Sequence, residues 1–481
     1  MIHENDNMNM QTKPIQDQMF HEMKEGGILE MSQGYARDYL ARVFDREVFP
    51  TAEALRDLRH FDEELPLEPC DAREVIDQLH QYGSPATVAQ VGGRYFGFVN
   101  GSVVPAGLAA KNLSLAWDQN TAMQVLSPIC AKLEAVVEGW LTRLFELPRH
   151  TAAGFVSGTS MATFCGLAAA RYRLLEKLDW DINEKGLFDA PKLRIVTSKQ
   201  AHSTVVKAIG LLGFGKDNVE WVDVDEQGRM LPGQVPVLDE RTILILQAGN
   251  VNSGSFEDFD SLCDQAQEAG AWVHIDGAFG LWARAVKNLK HLTKGMEKAS
   301  SWSVDGHKTL NTPYDSGIVL CEDREALVAA LHMSGSYLVR GDERDGMFFT
   351  PEMSRRSRIV ELWATLKYLG KNGIDQMIYN MHLRAQQFAK ELAGLEGFTV
   401  LNDVVFNQVI IRCETGDLTE AVTRSVQEMR TCWVGGSSWE GAKVTRISVC
   451  SWATTERDVS DSVNSFREAL DQVKRRMATL K

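Results

Sequence analysis

Six short β-rich runs recur between residues 193 and 320, and they constrain the fold of this chain more than any other feature. They span residues 193–197, 219–224, 242–246, 272–275, 301–304 and 317–320. Helical patterns such as 204–212 and 259–269 separate most of them. Alternating strands and helices predict an α/β domain built on a mostly parallel sheet with helices on both faces. Such sheets bind ligands beyond the carboxyl ends of their strands. Upstream, residues 1 to about 90 read as helical, with amphipathic stretches at 34–44 and 52–61. A long helical pattern over 128–147 stops at Pro148, as a helix should. Downstream, 352–373 and 374–392 read as helices. They lead to strands near 398–401, 407–413 and 444–450 and a closing helix over 456–480. The expected organisation is a helical N-terminal segment (1–104), a large domain (105–373) and a small C-terminal α/β domain (374–481).

Composition narrows the function classes. With 44% hydrophobic and 24% charged residues the chain can bury a large core. The formal net charge is -14, and no basic tract interleaves with aromatics, which argues against a nucleic-acid surface. No run of ~18 consecutive apolar residues is present, so no membrane span is expected. The first residues, MIHENDNMNMQTKP, lack the apolar segment of a secretory signal. The eight cysteines are scattered without a C-x-x-C pair and read as reduced thiols of a cytoplasmic protein. No His, Cys and carboxylate cluster has metal-ligand spacing, so no metal is expected.

Four segments carry chemistry. Ser157-Gly158-Thr159-Ser160 follows a strand-like stretch and opens an Ala-rich helix. Backbone N–H groups and hydroxyls at a helix start suit a phosphate, although an ordinary N-cap looks the same. Asp276 ends an apolar strand and is followed by the small Gly277 and Ala278, which leave room for a flat ring. A carboxylate there can pair with a protonated pyridine nitrogen; a turn aspartate is the plainer reading. In Asp305-Gly306-His307-Lys308 the lysine follows another strand. Near a bound cation its amine can lose its proton and form an imine, and His307 can add a phosphate contact. His202 follows the 193–197 strand and opens a helix, where an imidazole can stack on a flat ring and assist proton transfer. Each segment alone is commonplace. Phosphate cup, stacking histidine, ring-nitrogen aspartate and imine lysine in this order point to pyridoxal 5'-phosphate (PLP).

With these segments the chain resembles the group II PLP-dependent amino-acid decarboxylases, from about Tyr95 to Ala453. The resemblance is carried by Ser198-Lys199-Gln200-Ala201-His202, Val273-His274-Ile275-Asp276-Gly277-Ala278, Asp305-Gly306-His307-Lys308 and Gly158-Thr159-Ser160. It implies the aspartate-aminotransferase-like fold type I, Lys308 as Schiff-base lysine, and a homodimer with active sites at its interface. It implies decarboxylation of an L-amino acid to the amine. Other chemistries of the fold (aldehyde-forming, transaminating or lyase) and a non-catalytic PLP-binding homologue are the alternatives. Arg94-Tyr95-Phe96-Gly97-Phe98-Val99-Asn100 resembles the segment lining the substrate pocket, making Phe96 and Phe98 candidates, and residues 249–256 the loop at the cofactor's phenolic edge. Several positions depart from the family pattern: Gly249-Asn250-Val251, Gly306 and Thr309. No tyrosine lies between Tyr337 and Tyr368, where many members carry a loop tyrosine that protonates Cα. Phe348 and Phe349 stand near its place, Tyr337 is a further candidate to reach the substrate, and Arg355, Arg356 and Arg358 follow as loop anchors or anion contacts.

Overall fold

The computed structural model describes residues 15–331 and 344–479. The chain forms two compact units, one up to Ala89 and one from Gln90 onward.

The first unit is helical. Ile15–Glu25 and Gly27–Arg42 are separated at Gly26, whose φ of 67° only glycine adopts readily. Ala52–Asp57 is capped by Thr51, whose hydroxyl accepts from the Ala54 amide, and Ala72–Gln78 by Asp71.

The second unit is built on a seven-stranded sheet. Its strands are β1 (Ala152–Val156), β2 (Arg194–Ser198), β3 (Val219–Val222), β4 (Thr242–Gln247), β5 (Trp272–Asp276), β6 (Ser301–Asp305) and β7 (Gly317–Cys321). The order is β1-β7-β6-β5-β4-β2-β3. β2, β3, β4, β5 and β6 pair in parallel, and β7 runs antiparallel to both its neighbours. β1, β4, β5, β6 and β7 are buried along their whole length. Helices cover both faces of such a sheet, which is why these strands read as near-continuous apolar runs. β1 is antiparallel to β7 and therefore points the same way as β6. The carboxyl ends of β1, β2, β5 and β6 thus lie along one edge, and the four chemistry-bearing segments leave the sheet there.

The run Ile359–Ala393 holds the expected pair of helices over 352–373 and 374–392, the first of them beginning at Ile359. Gly370 breaks it, with φ 57° and ψ -178°. It starts late because residues 355–358 serve the arginines. Arg355 pairs in the interior with Glu134 (2.7 Å), which also meets Arg344 (3.1 Å). Arg356 pairs with Asp315 and Glu361, and Arg358 with Asp315. All three are structural ion pairs.

Beyond this helix an antiparallel sheet is ordered β10-β11-β9-β8, from β8 (Thr399–Val400), β9 (Gln408–Arg412), β10 (Gly435–Trp439) and β11 (Ala442–Ser448). The Gly416–Met429 and Glu456–Thr479 helices pack with it around Phe388 and Phe466. Among the described residues no helix is long and apolar enough to cross a membrane.

One buried carboxyl makes this unit pH-sensitive. Glu257 accepts from the Met230 amide (2.6 Å), and burial pushes it up to about 8 from an ordinary value near 4.5. A raised folded-state value means its contribution is fully present below the ordinary value and lost as pH rises through about 8. Glu257→Gln keeps an acceptor for Met230 and removes the titration. Thermal melts from pH 5 to 9 should show wild-type stability falling relative to the variant, by on the order of a few kcal/mol. Parallel curves would mean that Glu257 ionises no differently in the unfolded chain.

Candidate active site

The site assembles at the shared strand edge. Asp276, the last residue of β5, is buried, and its Oδ1 accepts from the Ala278 amide (3.2 Å). Its strand is held on both sides: Ala248 N–H donates to the Asp276 carbonyl, and Gly277 N–H to Ser303. Burial pushes the Asp276 carboxyl above its ordinary value, while the charges of His202 and Lys308 pull it down.

His202 caps the Ser203–Leu211 helix. Its Nδ1 accepts from the Thr204 amide (3.3 Å) and lies 2.7 Å from the Thr204 hydroxyl. An Nδ1 used as acceptor places the proton of the neutral ring on Nε2. Burial lowers the His202 pKa, which favours that neutral ring, and Asp276 opposes the shift. The expected trio of Lys308, His202 and Asp276 is therefore brought within one electrostatic neighbourhood.

Lys308 lies in the turn from β6 to β7, which Gly306 closes by donating to the Ser316 carbonyl (2.8 Å). Its Nζ stands 3.2 Å from Asp305 Oδ2. His307 accepts from the Ser316 amide at Nδ1 (3.0 Å), which leaves Nε2 as its donor, 3.5 Å from Asp305. The His307 ring stacks on Tyr314, and burial lowers its pKa. Ala278 supplies the carbonyl that accepts from the Asp305 amide (2.9 Å).

The phosphate-cup candidates sit beside this group. Thr159 begins the Thr159–Glu176 helix, and its amide donates to Asp305 Oδ1 (2.7 Å). Gly158 is extended against the His307 ring, since a Cβ there would lie 3.3 Å from Cε1. Ser160 is exposed. Thr159 Oγ1 is buried with no hydrogen-bond partner among the described residues. An orphaned hydroxyl at the head of an 18-residue helix, close to a histidine donor, fits an anionic phosphate. A buried carboxylate at the next strand end fits a cationic ring nitrogen. The residues present suit PLP.

Other expected residues fare differently. Phe96 is wholly buried, edge-on to Phe388 in the C-terminal core, so it packs that core instead of lining a pocket. Phe98 is 64% exposed and stacks on Trp433 (5.4 Å). Phe348 and Phe349 pack against the β1 side of the sheet, with Arg344 over the Phe349 ring (3.9 Å). Neither takes the place of a loop tyrosine. Tyr337 lies outside the described residues.

Two site residues were not singled out from sequence. Asp305 gathers the Thr159 amide, Lys308 and His307, but its helix partner is 146 positions away and leaves no local signal. Arg446 on β11 donates to the Val251 carbonyl (3.1 Å), and its charge reaches His202. An arginine on a small-domain strand reads as surface until the two sheets are assembled.

Fold and site together define a PLP-dependent enzyme. Residues 56–414 match the family described as the pyridoxal-dependent decarboxylase conserved domain. The chain belongs to this family and is a PLP-dependent amino-acid decarboxylase. It is 26% identical to an acidic amino acid decarboxylase of Mus musculus over 63% of this chain, and spans 56% of that protein. It is 26% identical to an aromatic-L-amino-acid decarboxylase of Drosophila lebanonensis over 72% of this chain and 91% of that protein. The structure of Catharanthus roseus tryptophan decarboxylase in complex with L-tryptophan superposes with a TM-score of 0.82 at 20% identity. That match covers 96% of this chain and 100% of the other, and shows the shared fold.

Proposed function

We propose that Lys308, Asp276 and His202 are the catalytic residues of an L-amino-acid decarboxylase releasing the amine and carbon dioxide. The observation that carries this reading is that Asp276, His202 and Lys308 leave the carboxyl ends of β5, β2 and β6 at one sheet edge, where the Lys308 charge acts on both Asp276 and His202. Bound PLP supplies the electron sink for the pair left behind when carbon dioxide departs. Lys308 Nζ would hold the cofactor through its carbonyl carbon. Asp276 binds the ring nitrogen and keeps its proton in place. Thr159 Oγ1, the helix head at Gly158 and Ser160, and His307 Nε2 bind the phosphate. His202, whose neutral ring carries its proton on Nε2, would be the proton donor of the site; Lys308 and Tyr337 are the other candidates for that role. Phe98, presented on Trp433, is a candidate wall of the substrate pocket.

The same reading makes the protein a cytoplasmic homodimer with active sites at its interface, in which residues 1–104 pair the subunits, 105–373 hold the cofactor and 374–481 form the small domain. Ile15–Glu25 buries none of its residues, and Met19, Phe20 and Met23 are exposed. In the second unit Leu113, Leu115, Val125, Leu126 and Ile129 are exposed as well, apolar side chains of the kind a subunit interface covers. All eight cysteines are free thiols, which suits a reducing compartment.

The test is to incubate PLP-loaded protein with the common L-amino acids while following carbon dioxide, amine, aldehyde, peroxide and keto acid, with light scattering on the same sample. Amine with carbon dioxide from a dimer is the expected result. Aldehyde with peroxide, or a keto acid, would reassign the reaction within the fold. Silence with PLP bound would favour a non-catalytic homologue.

A further inference from the structure

Three segments remote in sequence meet at one side chain that the chemistry above does not use. Asn311 is fully buried, three residues beyond Lys308, with φ at 57°. Its Oδ1 accepts from the backbone N–H groups of Ser102 (3.2 Å) and Trp452 (2.9 Å). Its Nδ2 donates towards the carbonyls of Lys308 (2.8 Å), Thr309 (3.1 Å) and Cys450 (2.9 Å). A flipped amide would set oxygen against three carbonyls and nitrogen against two N–H groups, so the network fixes its orientation. Asparagine is also among the few non-glycine residues that accept the left-handed backbone.

The carbonyl it grips belongs to the cofactor lysine. Lys308 O accepts twice from Asn311, from the backbone N–H (2.9 Å) and from Nδ2. Gly101 presses so close that a Cβ would lie 2.2 Å from the same oxygen. Gly101 N–H donates to His307 O (3.2 Å). Three and two residues before it, Phe98 and Val99 have φ of 52° and 59°. Two successive non-glycine residues in that region persist only where the surroundings over-determine them. Here the result is Phe98 laid on Trp433.

The segments do not need the Asn311 side chain merely to stay together. Val104 N–H donates to Asn311 O (2.8 Å), Trp452 Nε1 to Val103 O (2.9 Å), and Ser451 Oγ to Gly92 O (2.9 Å). What the carboxamide alone adds is a rigid link from those segments to the Lys308 carbonyl.

We propose that Asn311 is a positioning residue: it sets the reach of the Lys308 amine and the placement of the Phe98 wall from a single pin. This rests on the reading of Lys308 as the lysine that holds the cofactor. The prediction concerns geometry, so it should show in the bound cofactor as well as in rate.

Three variants test it. Asn311→Gly removes the side chain without straining φ. Asn311→Asp keeps the shape and turns a carboxylate oxygen towards three carbonyls. Gly101→Ala crowds the same carbonyl while leaving the Asn311 side chain itself intact. Each PLP-loaded variant should release cofactor faster, on the order of tenfold to a hundredfold, the scale of an ångström-sized misplacement. The visible circular dichroism of the bound cofactor should weaken, and KM should rise along with the fall in kcat, while the far-ultraviolet spectrum is kept. If one variant fails to fold, the other two decide. Lys308→Ala is run alongside with borohydride trapping. A trapped cofactor still at wild-type level in that variant would overturn the reading of Lys308. Loss of trapping there, with wild-type cofactor release and visible dichroism in the folded Asn311 and Gly101 variants, would overturn the role of Asn311 alone.

Discussion

Replacing Lys308 with alanine is expected to abolish turnover and to end covalent retention of PLP. The side chain is part-buried, its amine 3.2 Å from the Asp305 carboxylate at the carboxyl end of β6. Lys199, the other lysine in the segments that leave this edge, is exposed and paired with Asp223. Removal of a covalent nucleophile costs on the order of 10³-fold or more. Phosphate and ring contacts through Thr159, His307 and Asp276 remain, so PLP should still bind, reversibly and with a shifted absorbance band. The measurement is mass spectrometry after borohydride reduction, paired with carbon dioxide release. Wild-type protein should carry one cofactor mass on the Lys308 peptide and the variant none. Unchanged turnover in the variant would remove Lys308 from the mechanism.

The sheet and its chemistry-bearing edge were legible in the sequence because they rest on local patterns. The interior strands are short apolar runs, and Asp276, Lys308 and His202 each follow such a run within a few residues. What was hidden depends on pairings between distant positions. β10 is Gly435-Gly436-Ser437-Ser438-Trp439, with no apolar alternation; it becomes a strand only because the turn at Glu440 and Gly441, both with positive φ, folds it back on β11. The start of the long helix was misjudged because the apolar pattern gives no sign that Arg355 is drawn to Glu134, 221 positions earlier. Phe96 and Phe98 look alike in sequence, two positions apart, yet one is core and the other exposed. The left-handed backbone at Phe98 and Val99 breaks the alternation that would otherwise have put both on one face. Asp305 lies inside a recognised motif and Asn311 three residues beyond its lysine, but their partners at Thr159, Ser102 and Trp452 appear only on folding.

Asp276→Asn should leave the fold and reduce kcat by on the order of 10²–10³-fold, the scale for losing one preorganised electrostatic contact at a reacting centre. The argument is about charge. In the chain itself burial raises the Asp276 carboxyl above its ordinary value, so the proton tends to stay on. A carboxyl raised by burial loses favour as pH rises through its folded value, because the ionised form must be buried. A cationic ring nitrogen beside it reverses that preference, since ionised Asp276 then gains a partner in place of water. Where the free ring nitrogen is already protonated and Asp276 would otherwise hold its own proton, binding releases one proton, so PLP binding should strengthen with pH in the wild type over that range. The amide variant cannot ionise, so it should lose that part of the pH dependence and keep only what Lys308 and the phosphate contribute. Equilibrium cofactor titrations of both proteins from pH 5 to 9 separate the two contributions by difference. Identical pH profiles combined with a mild loss of rate would mean that some other group pairs with the ring nitrogen. A flattened profile with a severe loss of rate would tie the electron-sink role to this one carboxylate.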